Sequence, residues 1–140
     1  MASHLPRGYR PKKSEPYMNA RQREYFHGKL LRWRTSIVTE SGVTLGRLKE
    51  GNGSEPDLAD RALVESDRQI ELRTRERARK LIGKIDSALG RLAAGTYGYC
   101  EETGDAIALS RLEARPIATL SLEAQERHEH RERSHCGDQA

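Results

Sequence analysis

Phe26, Leu30, Trp33 and Ile37 follow one another at spacings of four, three and four. That is the repeat of a helix that buries a single stripe. The stripe continues through Thr44 or Leu45 to Leu48 and is weakest around Ser41-Gly42. Asn19 is placed to cap the start of this helix, and Gly51-Asn52-Gly53-Ser54 breaks the chain after it. A second helix is expected after Pro56, with Asp57 as its N-cap and Asp60 three residues on, roughly where a capping box has its acidic residue. Its expected seam is Leu63, Ile70, Ala78, Leu81, Ile85, Ala88 or Leu89, and Leu92, ending at Ala94-Gly95. Two helices of about thirty to thirty-five residues joined by a short loop pair antiparallel, giving a coiled-coil hairpin about 45–50 Å long.

The pattern shortens after residue 95. Tyr97-Gly98-Tyr99, the turn Thr103-Gly104-Asp105 and the run Ile107-Ala108-Leu109 suit a compact knuckle with room for a small hairpin. A last helix is expected from about Ser121 to Arg133, with Leu120, Leu122 and Ala124 as its buried candidates and a frayed tail from Ser134. Pro6, Gly8, Pro11 and Pro16 make residues 1–16 an irregular or disordered leader. The expected architecture is therefore mainly α. It has a leader (1–16), a hairpin (17–95) with its tip at about 50–62, and a knuckle with a C-terminal helix (96–140).

Composition narrows the function. Of 140 residues, 33% are charged, which suits long helices with polar sides better than a thick core. The net charge of +4 is a weak argument for nucleic-acid binding, but its distribution is uneven. Residues 50–67 carry Glu50, Glu55, Asp57, Asp60, Glu65 and Asp67 against a single base, Arg61. Residues 68–84 then carry Arg68, Arg73, Arg75, Arg77, Arg79, Lys80 and Lys84 against Glu71 and Glu76. An acidic block running into a basic one is a polarised surface that favours a macromolecular partner.

No apolar run marks a secretory leader or a membrane span, so a cytoplasmic protein without a membrane partner is expected. Cys100 and Cys136 give neither a disulfide framework nor a metal cluster. His128, His130, His135 and Cys136 crowd a charged helix end and are read as surface residues. With no phosphate loop, nucleophile–base pair or metal motif, the chain is not expected to be an enzyme.

Four motifs stand in order on these elements: Tyr17-Met18-Asn19; Pro56-Asp57-Leu58-Ala59-Asp60-Arg61-Ala62; Glu71-Leu72-Arg73-Thr74-Arg75 through Arg79-Lys80-Leu81-Ile82; and Gly98-Tyr99-Cys100 with Arg111-Leu112-Glu113-Ala114-Arg115-Pro116. Together they resemble the DksA/TraR family of bacterial transcription factors over nearly the whole stretch from Tyr17 to Arg131. The resemblance implies a protein that binds RNA polymerase directly. It would insert its coiled coil into the secondary channel and alter open-complex stability with the alarmone ppGpp. Asp57, Asp60 and Ala62 match the family's tip motif. Arg73, Arg77 and Arg111 match polymerase contacts, while Leu81, Lys84 and Arg115 match the ppGpp site. Gln125 stands where a further ppGpp-contacting lysine is found. The cationic positions suit a polyphosphate, which Arg grips bidentately.

The family's finger holds zinc with four cysteines, and here those places read Cys100, Thr103, Ser121 and Ala124. One thiolate, two hydroxyls and a methyl do not close a tetrahedron around zinc. The resemblance thus points to a zinc-independent member, expected to be a monomer, with packing by Tyr97, Tyr99, Ile107, Leu109, Leu112, Ile117, Leu120 and Leu122 replacing the metal. Other readings stay open on the residues alone. Asp57 and Asp60 also serve a helix start, the basic run also serves as a solvated face, and Cys100 is either a buried relic or a redox switch. A helical-hairpin adaptor or oligomer without polymerase activity is the rival function. Sequence-specific DNA binding is not expected, because the basic helix lacks base-reading residues in a recognisable pattern.

Overall fold

The structure is a computed structural model that describes residues 5–50 and 58–138, and for 42–50 and 135–138 the backbone only. Four helices follow in order: α1 (Ala20–Glu50), α2 (Leu58–Ala94), α3 (Leu109–Ala114) and α4 (Leu122–Asp138). No strand occurs among the described residues, and Tyr99 and Ala106 form an isolated antiparallel bridge. The mainly helical architecture expected from the pattern is the one observed. The chain divides into two compact units, one of residues 1–30 with 88–140 and one of residues 31–87.

In the second unit α1 and α2 run antiparallel. Arg34 bonds Asp86 at 2.8 Å, and seven residues along α1 Ser41 borders a groove lined by Leu72, Arg75, Glu76, Arg79 and Ile82 of α2. Ile37 and Ile85 are buried here, as the spacing predicts. Towards the start of α2 the seam departs from the expected one. Leu63 and Ile70 are 64% and 57% exposed. Ala78 and Leu81 are half-buried as expected, but Glu71, Arg75 and Ile82 are half-buried with them, and Glu71, Arg75, Ala78 and Ile82 lead at 4-3-4-3 spacing into Ile85. The face turned inward is thus partly polar, and two aliphatic residues lie outside it. Thr44, Leu45 and Leu48 fall where side chains are not described, and Asp57 and the loop 51–57 lie outside the described residues.

The first unit holds the larger core: Phe26 and Leu30 of α1, Ala88 and Leu92 of α2, and Tyr97, Ile107, Leu112, Ile117, Ala118 and Ala124 are all buried. Asn19 caps α1 as expected, its Oδ1 accepting the Gln22 N–H at 2.9 Å. Gln22 is itself fully buried. Its Oε1 accepts the Met18 N–H at 2.8 Å and its Nε2 donates to the Lys12 carbonyl at 3.3 Å. This single amide therefore ties Met18, which has a φ of 51°, and the leader to the helix start. The leader also packs through Tyr9, whose ring meets Tyr25 edge-on at 6.1 Å and whose hydroxyl donates to Glu15 at 2.9 Å. At the end of α2 Gly95 adopts φ 81° and closes the helix, with the Thr96 N–H returning to the Arg91 carbonyl at 2.9 Å.

Candidate functional site

The knuckle is built on the turn after Tyr99. The Cys100 N–H donates to the Asp105 carbonyl at 2.8 Å, and the Gly104 N–H returns to the Cys100 carbonyl at 2.9 Å. The Ile107 N–H reaches the Gly98 carbonyl at 2.7 Å. The Glu101 N–H bonds the Thr119 carbonyl at 2.9 Å, which draws the start of α4 against the turn. Tyr17 completes the arrangement, its hydroxyl lying 2.6 Å from the carbonyl oxygens of both Gly98 and Ile107. Burial, with Tyr99 beside it, pushes the Tyr17 phenol up to about 12. Tyr97 is buried with its hydroxyl donating to the Pro116 carbonyl at 2.7 Å, and burial raises its pKa strongly too.

The fold brings together Cys100, Thr103 and Ser121, with Ala124 in the first turn of α4, the four places where the resemblance expects ligands. Cys100 is buried. Its burial works to raise the thiol pKa, but hydrogen bonds from the Thr103 hydroxyl and from the N–H groups of Ser121, Thr103 and Glu102 outweigh it and hold the thiol at about 6. Thr103 also accepts the Asp105 N–H at 3.2 Å. Ser121 accepts the Ala124 N–H at 3.2 Å and so caps α4, and Ala124 is fully buried. This donor set does not fit zinc. It offers one sulfur, the Ser121 hydroxyl is engaged as a cap, and Ala124 offers no donor. Among the described residues no group of three or more His, Cys, Asp or Glu is arranged to hold a metal ion.

The expected packing is only partly the observed packing. Tyr97, Ile107, Leu109, Leu112 and Ile117 are buried, but Tyr99 is 41% and Leu122 58% exposed, and Leu120 is half-buried. Phe26 takes part instead, its ring 5.6 Å from that of Tyr97. Lys29 closes the same unit from α1, with its ammonium 2.8 Å from the Glu113 carbonyl and 2.9 Å from the Glu113 carboxylate. Desolvation of Glu113 is outweighed by this ammonium, so its carboxyl lies below its ordinary range. Neither Tyr17 nor Lys29 stands out in sequence as a long-range partner, and only the fold supplies their acceptors, at Gly98, Ile107 and Glu113.

The remaining candidates lie along the two units. Asp60 and Ala62 are exposed in the first turns of α2, where Asp60 complements the helix dipole. Arg73, Arg77 and Lys84 are exposed on α2, and Leu81 is half-buried there. These belong to the second unit, whereas Arg111, Arg115 and Gln125 belong to the first. Arg115 is exposed at the end of α3. Arg111 is half-buried and turned inward, its Nε donating to the Leu120 carbonyl at 2.9 Å. Gln125 donates to Glu129 along α4 at 3.1 Å. No helix among the described residues is long and apolar enough to cross a membrane.

A helical hairpin followed along the chain by a compact knuckle is the order of elements in which the comparisons with known proteins find their matches. The DksA N-terminal domain model (DnaK suppressor protein DksA) matches residues 22–92, and the prokaryotic dksA/traR C4-type zinc finger model matches residues 95–130. The chain belongs to the DksA/TraR family. It is 60% identical over 130 residues to the RNA polymerase-binding transcription factor DksA of Caulobacter vibrioides, covering 93% of this chain and 92% of that protein. It is 38% identical over 129 residues to the protein of the same name from Escherichia coli K12, covering 92% and 85%. Among solved structures, transcription factor DksA2 from Pseudomonas aeruginosa aligns with a TM-score of 0.76 and 48% identity, covering 84% of this chain and 90% of that one.

Proposed function

We propose that this chain is a non-enzymatic bacterial transcription regulator of the cytoplasm that binds RNA polymerase directly. The observation that carries the reading is its 60% identity, across nearly its full length, to a protein named for polymerase binding. The helical hairpin supports it. The part of α2 within the second unit, Leu58–Ser87, is about 45 Å long at 1.5 Å per residue. That is enough to reach into a channel that a compact globule cannot enter. In this reading Asp57, Asp60 and Ala62 form the tip that approaches the polymerase active site and alters open-complex stability. Arg73, Arg77 and Arg111 contact the enzyme, and the protein acts as a monomer without sequence-specific DNA binding.

Two finer features complete the proposal. Leu81, Lys84 and Arg115 take part in binding ppGpp at the polymerase surface, with Gln125 providing one cation fewer than the family's lysine. The protein also works without zinc, because hydrogen bonds and apolar packing hold the knuckle that a metal would otherwise hold. The test is transcription in vitro from a ribosomal-RNA promoter in chelator-treated buffer, with the protein or its Asp57→Asn variant, each with and without ppGpp. Inhibition that survives chelation and is lost in the variant supports the reading, and enhancement by ppGpp supports the roles of Lys84 and Arg115. A folded protein that leaves transcription unchanged would favour a hairpin adaptor.

A further inference from the structure

The leader and the start of α1 concentrate the positive charge of the chain. Residues 5–23 hold six bases (Arg7, Arg10, Lys12, Lys13, Arg21 and Arg23) against one acid, Glu15, a net +5 where the whole chain carries only +4. All six bases are exposed. The segment is folded rather than extended. The Tyr9 N–H returns to the Pro6 carbonyl and the Glu15 N–H to the Lys12 carbonyl, each at 3.2 Å, giving two turns that carry Arg7, Lys12 and Lys13. Glu15 joins the turns, accepting the Tyr9 hydroxyl and the Lys12 N–H, each at 2.9 Å, so its carboxylate is engaged inside the segment. The Gln22 amide holds the Lys12 carbonyl against α1, and Arg21 is close enough to Tyr9 to act on its phenol electrostatically. Outside the segment Arg10 faces Glu113, whose carboxylate is already held by Lys29 at 2.9 Å. α1 begins here without an acidic residue in its first turn, so no carboxylate of that turn offsets the positive end of its dipole.

We propose that this cationic segment, centred on Arg7, Arg10, Lys12 and Lys13, binds the phosphate backbone of duplex DNA without regard to sequence. The inference goes beyond the polymerase-binding reading and does not rest on it, since naked DNA tests it. The kind of partner follows from what the segment lacks. No large apolar side chain among the described residues before Leu31 is exposed, whereas a protein-docking patch has an apolar or aromatic centre and is depleted in lysine. Closely spaced exposed cations without such a centre match a regular polyanion. Tyr9 and Tyr25 are half-buried and meet edge-on at 6.1 Å, so they offer no open ring to unpaired bases, which favours a duplex over a single strand. Gln22 is buried and Asn19 caps α1, so neither amide of the segment is available to read base edges, and the contact stops at the phosphates.

The experiment follows the fluorescence anisotropy of short labelled duplexes of unrelated sequence as the full chain is added, over a range of salt concentrations. The expected result is a similar affinity for every sequence and a slope of log K against log salt of about −3 to −4, the value for four neutralised phosphates. The variant R7Q/R10Q/K12Q/K13Q should raise Kd about tenfold or more at about 50 mM salt and bring the slope close to zero, with an unchanged melting midpoint. Should that variant melt early, R7Q/K13Q leaves Arg10 beside Glu113 and Lys12 beside Glu15, and should make the slope shallower by about two. A parent that binds no duplex even at low salt would overturn the proposal. So would tighter binding to single strands, or a loss of binding that follows R73Q/R77Q on α2 and not the leader variants. Leader variants that bind DNA as the parent does, but bind purified RNA polymerase less tightly, would make an acidic protein surface the occupant instead.

Discussion

The Tyr17 hydroxyl lies 2.6 Å from the Gly98 carbonyl oxygen, across 81 positions of sequence, and Gly98 has no room for anything larger beside it. A Cβ on Gly98 would sit 2.8 Å from that hydroxyl and 3.0 Å from the Met18 methyl, at a φ of 89°. Gly98→Ala is therefore expected to cost about 2–4 kcal/mol, through left-handed strain and displacement of Tyr17 together. Tyr17→Phe, which only removes the hydroxyl, should cost about 1–2 kcal/mol. Chemical denaturation of the two variants checks the order. Equal losses would mean that the close approach contributes nothing beyond the hydrogen bond.

Cys100 makes stability depend on pH in a defined direction. Its folded pKa, about 6, is below the ordinary thiol value of about 8.5. The folded state thus favours the thiolate, and the resulting stabilisation is complete above the ordinary value and disappears as pH falls through about 6. Thermal melts between pH 5.5 and 9 should show the parent gaining on Cys100→Ala as pH rises. Thiolate absorbance near 240 nm should titrate with a midpoint near 6, and Thr103→Val should move that midpoint upward. A midpoint at the ordinary thiol value would remove the basis of the argument.

Chelator treatment should leave the melting temperature unchanged, since one sulfur and a capping serine do not hold a metal. The converse experiment is more demanding. The triple variant T103C/S121C/A124C should bind one zinc per chain, measured by elemental analysis, and become sensitive to chelator. If the parent itself loses stability on chelation, the zinc-independent reading fails. If the triple variant takes up no zinc, the knuckle no longer keeps the spacing of a metal finger.

Arg77 and Arg111 should separate in their effects. Arg77 is exposed on α2, so Arg77→Ala is expected to weaken polymerase binding and leave the melting temperature within about a degree. Arg111 donates to the Leu120 carbonyl, so Arg111→Ala should cost about 1–2 kcal/mol of folding stability. Parallel melts and binding curves decide this. Unaltered stability in Arg111→Ala would return that residue to the class of plain surface contacts.

The start of α1 and the end of α2 were legible because their signals are local, whereas the short helix α3 was not expected. Asn19 caps through its own side chain and Gly95 closes α2 through its own backbone, so neither depends on distant residues. The buried stripe of α1 was legible for the same reason, through Phe26, Leu30 and Ile37. The start of α2 was not. A search for apolar repeats selects Leu63 and Ile70, whereas the helix turns Glu71 and Arg75 inward, and hydrophobicity cannot identify a polar seam. The hydrogen bonds that bring Thr103 and Ser121 onto Cys100 were not legible, because they arise only once the turn and α4 have packed. α4 also runs to Asp138, past the fraying point expected at Ser134.

Ser121 stands where the resemblance to a four-cysteine finger expects a ligand, and here its hydroxyl starts a helix. That exchange affects the routes open to descendants of this chain. A cysteine restored there alone would forfeit the cap, worth about 1 kcal/mol, while two of the four sulfurs were still missing. Restoring Thr103 or Ala124 alone likewise leaves the metal short of ligands, and a larger side chain at the fully buried Ala124 must find space in a packed interior. Each single step back toward the metal is downhill in stability until the set is nearly whole. In the zinc-independent reading, no single substitution at these positions rebuilds a metal site, and each is expected to cost stability on its own.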